Sequence, residues 1–340
     1  MWCVWLTVWL AVVCALSCPP IPKRQSPPRD IYDLAPGDLD IVMALGDSIT
    51  AGFGIESLVT ESRTCSFSIG DGKQCHSVTL PHLLHMYNPK VKGASSGSHL
   101  VEPRLFDHIP RQDYLNAAQT GAFVQDLKSQ IDYLVEQFGL RNIDVFRTWK
   151  HVTILIGANN LCNLCEGNLA HDSADTFEVI LKEALIYLYE NFPKTFVSLV
   201  SIPKFTNLEE LETSTCKVEH NVYAECNCVF RNPTKEKLEE LDANMDEFNY
   251  RLTKIAAEWT YKGLKDFAVV NQPFLVEQRI PSEEWLSPYD CFHPSRKAHQ
   301  ALAVNLWNSL FLPVSQKSTK FDMNITDIHC PDIHSRLQVF

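Results

Sequence analysis

The sequence is short of basic residues. Its 340 residues include 30 lysines and arginines against 41 aspartates and glutamates, which gives a formal net charge of −11. A surface with this balance does not attract nucleic acid or an anionic membrane through charge. We therefore expect no nucleic acid as a partner, and any contact with lipid must depend on apolar surface.

The sequence also lacks the paired patterns that hold a zinc ion. It contains an isolated C-x-x-C at Cys162 and Cys165, with neither a second such pair nor two histidines at zinc spacing. No segment repeats at a period of roughly 20 to 50 residues, which excludes a solenoid. We expect one main domain, no metal and no cofactor.

One apolar run approaches the length of a membrane span. Residues 2–17 carry no charge and end in Ala15-Leu16-Ser17, a small-residue pattern that suits signal peptidase. The run is short for a bilayer helix of about 20 residues, and it lacks a basic cytoplasmic flank. We therefore predict a signal peptide over 1–17, with a membrane anchor as the alternative. The expected mature protein is secreted and extracellular, with no transmembrane segment.

Composition divides the rest of the chain into three parts. Residues 18–37 form a proline-rich leader, 38–312 the folded domain and 313–340 a polar C-terminal tail. Within the tail, Asn324 begins the N-glycosylation sequon Asn-Ile-Thr, which has meaning only in a secreted chain.

Cysteines are plentiful outside the predicted signal peptide. An even number in an oxidising compartment predicts a disulfide framework, although spacing does not give its connectivity. We expect local pairs of Cys65 with Cys75 and of Cys162 with Cys165; the alternative for the second pair is a metal-binding or redox-active role. The ten cysteines are Cys18, Cys65, Cys75, Cys162, Cys165, Cys216, Cys226, Cys228, Cys291 and Cys330.

Short apolar runs alternate with amphipathic helical patterns along the domain. This alternation predicts a parallel sheet covered by helices on both sides, which is an α/β fold of three layers. Strand patterns cover 39–45, 151–157, 195–202 and 267–271, and helical patterns cover about 121–138, 173–192, 234–261 and 294–311.

Ser48 follows the first strand pattern and is the candidate nucleophile. A serine hydroxyl needs a base within reach and an acid that orients the base. Asp290 and His293 supply both, and their separation of three residues lets the carboxylate reach the imidazole. The G-x-S-x-G pattern of nucleophile-elbow hydrolases is absent around Ser48. His299, in the helical pattern that follows, is expected at the surface.

Four segments, in order along the chain, resemble the sequence blocks of the GDSL, or SGNH, hydrolases. The resemblance extends from about 39 to 311, and it implies a flavodoxin-like α/β/α sandwich with a mainly parallel sheet. It also implies a serine ester hydrolase that needs no cofactor. The four segments are Gly46-Asp47-Ser48-Ile49, Asn116–Gly121, Gly157-Ala158-Asn159-Asn160 and Asp290–His293.

The resemblance further assigns an oxyanion hole to the backbone N–H groups of Ser48 and Gly121 and the side-chain amide of Asn159. Each preorganised donor of this kind is worth about 3 kcal/mol in the barrier to ester cleavage. Asn160 departs from the family, in which many relatives carry aspartate at this position. We expect the change to alter local hydrogen bonding around Asn159, which puts full activity in question.

Each candidate also has an ordinary structural interpretation. Ser48 could cap a helix, His293 could be structural, Gly121 could start a helix and Asn159 could occupy a turn. The four blocks together favour the catalytic roles. Asp47 is expected to be a turn and cap residue and stays outside the catalytic set.

Within the family, the segments 65–70 and 79–84, with Asn88-Pro89, resemble the phospholipase B type. The resemblance therefore implies hydrolysis of phospholipid or lysophospholipid esters at an interface. Two alternatives stay open: a short-chain or carbohydrate acyl esterase of the same fold, and a secreted lipid-binding protein with weak or no catalysis.

Overall fold

The computed structural model describes residues 18–22, 24–101, 108–211, 213, 216–217, 220, 225–231, 233–323 and 327–340. The predicted signal peptide over 1–17 and the predicted glycosylation site at Asn324 lie outside the described residues. In the part of the chain that is described, none of the helices combines the length and apolarity needed to cross a membrane.

The strands of the described chain are β1 Ile41–Gly46, β2 Thr60–Glu61, β3 His99–Leu100, β4 Lys150–Leu155, β5 Thr195–Val200 and β6 Phe267–Gln272. A parallel sheet with the order β1-β4-β5-β6 forms the centre of the fold, and β2 and β3 form a separate antiparallel pair. Every residue of the four central strands is buried, as expected for a parallel sheet with both faces covered. All four predicted strands are confirmed.

The α-helices of the described chain are α1 Ser48–Ala51, α2 Leu80–His85, α3 Pro110–Asp113, α4 Leu127–Leu140, α5 Ala158–Cys165, α6 Leu169–Asp172, α7 Ala174–Asn191, α8 Asn227–Phe230, α9 Lys235–Tyr261 and α10 Arg296–Ser309. Hydroxyl side chains cap three of the long ones. Ser173, Thr234 and Ser295 each accept a hydrogen bond from a backbone N–H in the first turn of α7, α9 and α10.

The first predicted long helix begins six residues later than expected. The pattern predicted a helix from Gly121, but Gly121 has a left-handed φ of 80°, which ends any helical path there. A 3-10 turn over Val124–Asp126 then leads into α4.

Helices cover both faces of the sheet. Met43 and Val152 face a core that contains α4, α7 and α9, whereas Val42 and Leu155 face a core that contains α2 and α10. Alternate strand residues thus point into different layers, because side chains alternate across a strand. The predicted three-layer α/β/α architecture is confirmed.

The segments before and after the predicted domain are attached to it. Arg24 of the proline-rich leader pairs with Asp33 and Asp38 at 2.8 and 3.0 Å. In the C-terminal segment, Leu337 and Val339 are buried in the core that contains α10. The pair of Arg24 with Asp38 joins the leader to the domain, and the C-terminal segment packs on the face of the sheet that carries α2 and α10.

Five cysteine pairs lie at disulfide distance. The expected pair of Cys65 and Cys75 is present, with a Cα–Cα distance of 5.8 Å. The expected pair of Cys162 and Cys165 is wrong, because both residues lie on α5, where side chains three positions apart are about 5–6 Å apart at Cβ and a disulfide needs about 4 Å. The other pairs are Cys18–Cys330, Cys162–Cys226, Cys165–Cys228 and Cys216–Cys291.

Candidate active site

Ser48 lies at the carboxyl end of β1, where parallel sheets form their sites. Gly46 ends the strand, and a Cβ at this position would overlap the carbonyl oxygen of Leu155 on β4. Asp47 then caps α1 by accepting a hydrogen bond from the N–H of Ile49 at 3.0 Å. The cap residue is therefore Asp47, as predicted, and the alternative of Ser48 as the cap is wrong. As the first helical residue, Ser48 has an N–H that no carbonyl within α1 can accept.

A tight turn before α10 holds Asp290 and His293. Asp290 Oδ1 accepts hydrogen bonds from the backbone N–H groups of Phe292 at 2.9 Å and His293 at 3.0 Å. Asp290 Oδ2 makes a third hydrogen bond, at 2.8 Å, with Nδ1 of the His293 ring. Gly54 packs against this carboxylate, and its φ of 74° and lack of a side chain allow the close approach.

The side chains of Ser48, His293 and Asp290 are linked by two successive hydrogen bonds. His293 Nε2 lies 2.7 Å from Ser48 Oγ, although the two residues are 245 positions apart in the sequence. All three are buried, and the rings of Phe53 and Phe292 stand edge-on to the imidazole at 5.0 and 5.1 Å. The arrangement lets the imidazole accept a proton from the hydroxyl while the carboxylate fixes the ring and its tautomer.

The charges around the imidazole favour its protonated form. Burial alone would lower the pKa of His293, but the charge and hydrogen bond of Asp290 outweigh burial and raise it. Glu225, whose Oε1 lies 4.0 Å from His293 Nδ1, adds to the rise. For Asp290, burial opposes ionisation, yet the contacts with His293 lower its pKa. The pair is therefore suited to stabilise the imidazolium that forms when His293 takes a proton.

Glu225, Asp290 and His293 could also bind a metal ion together. Each offers one ligand atom, and these atoms all lie within 4.8 Å of one another.

Asn159 lies beside Ser48 and His293, and it also contacts the segment that contains Gly121. Asn159 lines the same cleft as Ser48, and its Nδ2 donates to the carbonyl of Ala122 at 2.8 Å. One amide hydrogen of Asn159 therefore holds the residue after Gly121, and the second is available for another acceptor. Gly121 is exposed, and its left-handed φ accounts for glycine at this position.

Asn160, the departure from the family pattern, is fully buried. Its Oδ1 accepts a hydrogen bond from Val124 N at 3.0 Å. Its Nδ2 donates to Asp172 Oδ1 at 2.6 Å and to Gln125 Oε1 at 3.0 Å. The amide therefore uses both its donors and its acceptor, and it joins the start of α5 to the segment that follows Gly121. A carboxylate is present in this cluster, but Asp172 carries it.

A cleft of about 920 Å³, counted with the solvent at its mouth, opens beside Ser48 and His293. Its walls come from the segments 203–208, 275–286 and 292–302 together with Phe321, and they are almost entirely apolar. The sequence did not identify these residues, because they come from separate segments without a shared motif. Clustered apolar residues on both sides of Asp290 were the available signal.

His299 lies on α10 behind His293, and the expectation of a surface position is wrong. It is fully buried, and its Nδ1 accepts a hydrogen bond from the backbone N–H of Phe67 at 3.2 Å. Burial lowers its pKa to about 3. His299 is therefore a neutral structural histidine.

A family model described as GDSL-like lipase/acylhydrolase matches residues 42–306, which span Ser48, Gly121, Asn159 and His293. The chain belongs to this family. The predicted class of enzyme, an ester hydrolase, is confirmed at the level of the GDSL-like family.

The chain is also similar to the membrane-associated phospholipase B1 of rat and human. The rat protein is 31% identical over 327 residues, which cover 91% of this chain and 22% of the relative. The human protein is 30% identical over 328 residues, which cover 92% and 22%. The chain thus spans about a fifth of the length of these relatives.

Among solved structures, an extracellular lipase from Streptomyces rimosus is 18% identical, with a TM-score of 0.40 and coverage of 78% of this chain and 97% of the lipase. This weak likeness says nothing about the substrate.

Proposed function

We propose that the chain is a secreted, phospholipase B-like serine hydrolase that cleaves acyl esters of phospholipids or lysophospholipids. The observation that carries this proposal is the hydrogen-bonded chain from Ser48 through His293 to Asp290 at the mouth of an apolar cleft. In this proposal Ser48 is the nucleophile, His293 the general base and then general acid, and Asp290 the group that orients it.

The reaction follows from the three contacts. His293 Nε2 takes the hydroxyl proton as Ser48 Oγ attacks the ester carbonyl, and the imidazolium is stabilised by Asp290. His293 then gives the proton to the leaving alcohol or lysolipid, and an acyl group stays on Ser48. Water then attacks the acyl carbonyl while His293 takes one of its protons. His293 returns this proton to Ser48 Oγ as the bond to the acyl group breaks, which releases the fatty acid and restores the free hydroxyl.

The tetrahedral intermediate carries a negative oxygen that needs donors. Ser48 N–H, at the first position of α1, and the second amide hydrogen of Asn159 are both suited to this task. Gly121 N–H is the third donor in this proposal. Its segment is held next to Asn159 by the hydrogen bond between Asn159 and Ala122.

The nature of the cleft supports a long acyl chain as the group transferred. Phe205, Ile280, Trp285 and Phe292 provide apolar walls directly beside the nucleophile. An apolar chain gains about 0.8 kcal/mol for each CH₂ removed from water, so a cleft of this kind favours fatty acyl over acetyl esters. The similarity to proteins named phospholipase B1 supports a phospholipid substrate.

Secretion is supported by the cysteine pairs, because disulfides persist in oxidising compartments. The apolar run over 2–17 and the sequon at Asn324 agree with the same route. We expect glycosidase treatment of the secreted protein to lower its apparent mass.

The test compares purified wild-type protein with Ser48→Ala on a phospholipid, a lysophospholipid, a triglyceride and a short acyl ester. We expect the wild type to prefer the two phospholipid substrates, and Ser48→Ala to lose both turnover and labelling by a fluorophosphonate probe. Unchanged turnover in Ser48→Ala would contradict the proposed nucleophile. Preference for the short ester would contradict the lipid substrate, and labelling without turnover on any ester would support the lipid-binding alternative.

A further inference from the structure

Two charged side chains outside the four sequence blocks hold the segment that ends in Gly121. Glu61 on β2 and Arg63 just after it are 4% and 1% exposed. In the described part of the chain, neither side chain forms a hydrogen bond with Ser48, His293 or Asp290. Buried charges are retained only where they are paired and hydrogen-bonded, so their partners indicate what they stabilise.

Glu61 binds the residue that immediately precedes Gly121. Its Oε1 accepts hydrogen bonds from both donors of Thr120, the backbone N–H at 3.0 Å and the hydroxyl at 2.7 Å. The residue before Gly121 is thus fixed through its backbone and its side chain together. The peptide between Thr120 and Gly121, which carries the Gly121 N–H, therefore extends from a residue that is held in place.

Arg63 also binds the segment that ends in Gly121, both directly and through Glu61. One guanidinium nitrogen donates to Glu61 Oε2, and another donates to the carbonyl of Ala118 at 2.8 Å. Its Nε lies 3.1 Å from Oδ1 of Asp113, which is fully buried. Burial would raise the pKa of Asp113, but Arg63 and two histidines lower it, so this carboxylate stays charged and anchors Arg63.

The same two residues are tied to the helix that carries Ser48. Ser62, which lies between them, donates its N–H to the carbonyl of Gly52 at 2.7 Å, at the end of α1. Asn116, at the start of the segment that ends in Gly121, donates its side-chain N–H to the carbonyl of Thr50 within α1 at 3.1 Å. The Gly121 segment and the Ser48 helix are therefore held in one hydrogen-bonded unit.

We propose that Glu61, held by Arg63, is a positioning residue that orients the Gly121 N–H toward the oxyanion. This inference rests on the proposed function, in which Gly121 is an oxyanion donor. Loss of the contacts between Glu61 and Thr120 should leave substrate binding intact. It should weaken stabilisation of the tetrahedral intermediate, because the Gly121 N–H binds the oxyanion most strongly in that state.

The experiment measures kcat, KM and the inhibition constant of an alkyl boronic acid, which forms a tetrahedral adduct with the serine. We expect Glu61→Ala to lower kcat about 100-fold, the loss seen on removal of one oxyanion donor, with KM changed less than about threefold. The boronic acid should bind more weakly by the same factor. A merely structural role would not link the two losses.

Glu178→Ala is the matched control, since Glu178 is also buried to a similar degree in an ionic cluster, with Arg251 and Lys254 on α9. We expect it to lower stability while kcat stays within about twofold. Should Glu61→Ala fail to fold, two variants of Thr120 test the proposal instead. Thr120→Val removes only the hydroxyl donor and should lower kcat several-fold, and Thr120→Ser, which keeps that donor, should restore it.

The outcomes separate the two proposals. Activity retained by Ser48→Ala overturns the proposed function and this inference with it. Activity lost in Ser48→Ala but unchanged in a folded Glu61→Ala, or equal in Thr120→Val and Thr120→Ser, overturns the positioning role alone. A fall in kcat without weaker boronic acid binding also overturns it.

Discussion

Replacement of Asn160 by aspartate is the sharpest test of how this site is held together. The substitution introduces the aspartate that the resemblance to the GDSL family implies at this position, yet we expect it to destabilise this chain. Asn160 Nδ2 lies 2.6 Å from Asp172 Oδ1, and both residues are almost completely buried. In Asn160→Asp a second carboxylate oxygen would occupy the place of the donating nitrogen.

Two estimates of the stability that Asn160→Asp would lose agree. Two unit charges about 4 Å apart repel by about 4 kcal/mol at the effective dielectric constant of a protein, near 20. The variant can avoid this repulsion if one carboxyl takes up a proton. At pH 7, protonation of an aspartate with an ordinary pKa of about 3.9 costs about 4 kcal/mol, at 1.36 kcal/mol per unit. We therefore expect Asn160→Asp to lose about 4 kcal/mol of unfolding free energy at neutral pH.

The pH dependence has a definite sign. In Asn160→Asp, repulsion between the two carboxylates raises the folded-state pKa of the pair above its unfolded value. The contribution of the bound proton to stability is therefore present at low pH and is lost as the pH rises through the raised pKa. The deficit of Asn160→Asp relative to wild type should be small near pH 4 and should grow by about 1.4 kcal/mol per unit toward pH 7.

Urea unfolding at several pH values, for wild type, Asn160→Asp, Asp172→Asn and the double variant, measures these terms. In the double variant the amide at position 172 can donate to the carboxylate at position 160. We therefore expect the exchange of the two groups to recover most of the loss, with a favourable coupling energy of a few kcal/mol. A deficit below about 1 kcal/mol at pH 7, a deficit independent of pH, or a double variant no more stable than Asn160→Asp would refute the reasoning.

Three further predictions concern the site itself. Because Asp290 raises the pKa of His293, which must be neutral to act as a base, the acid limb of kcat/KM in the wild type should lie above the ordinary histidine value of 6.5. In Asp290→Asn that limb should move to lower pH while kcat falls by a factor on the order of 10⁴; an unmoved limb would contradict the assigned cause. Ala298→Phe, which places a ring inside the apolar cleft, should lower the ratio of kcat/KM for a C16 ester over a C4 ester by about tenfold, measured with a chain-length series. Removal of the pair Cys216–Cys291 by serine substitution should cost about 4 kcal/mol in the chain-entropy treatment, and it should lower kcat more than removal of the pair that joins residues 18 and 330, since Cys291 adjoins Asp290.

The parts of this protein that could be predicted from its sequence depend on local patterns. The apolar run before Ser48 is a buried strand, and the polar residues after it lie at the rim where parallel strands end. Asp290 and His293 are three positions apart, so their hydrogen bond depends on one turn of chain. Asp47 as a cap follows from the same local rule.

The parts that could not be predicted depend on partners distant in sequence. Cys162 and Cys165 suggested a local disulfide, but helix α5 separates their side chains and turns them toward cysteines more than 60 positions away. His299 looked like a surface residue because helical periodicity alone does not reveal that α10 is buried along most of its length.

Asn160 shows why residue type at one position does not decide function. Taken alone, asparagine in place of aspartate suggested a weakened site. The structure instead contains an acid and an amide in contact, with the acid at Asp172 and the amide at Asn160. Since two buried carboxylates at this distance cannot both ionise without a large cost in stability, aspartate at one position favours a neutral residue at the other. We therefore expect family members with aspartate at position 160 to carry a non-acidic residue at position 172, and the two positions should be interpreted as a pair.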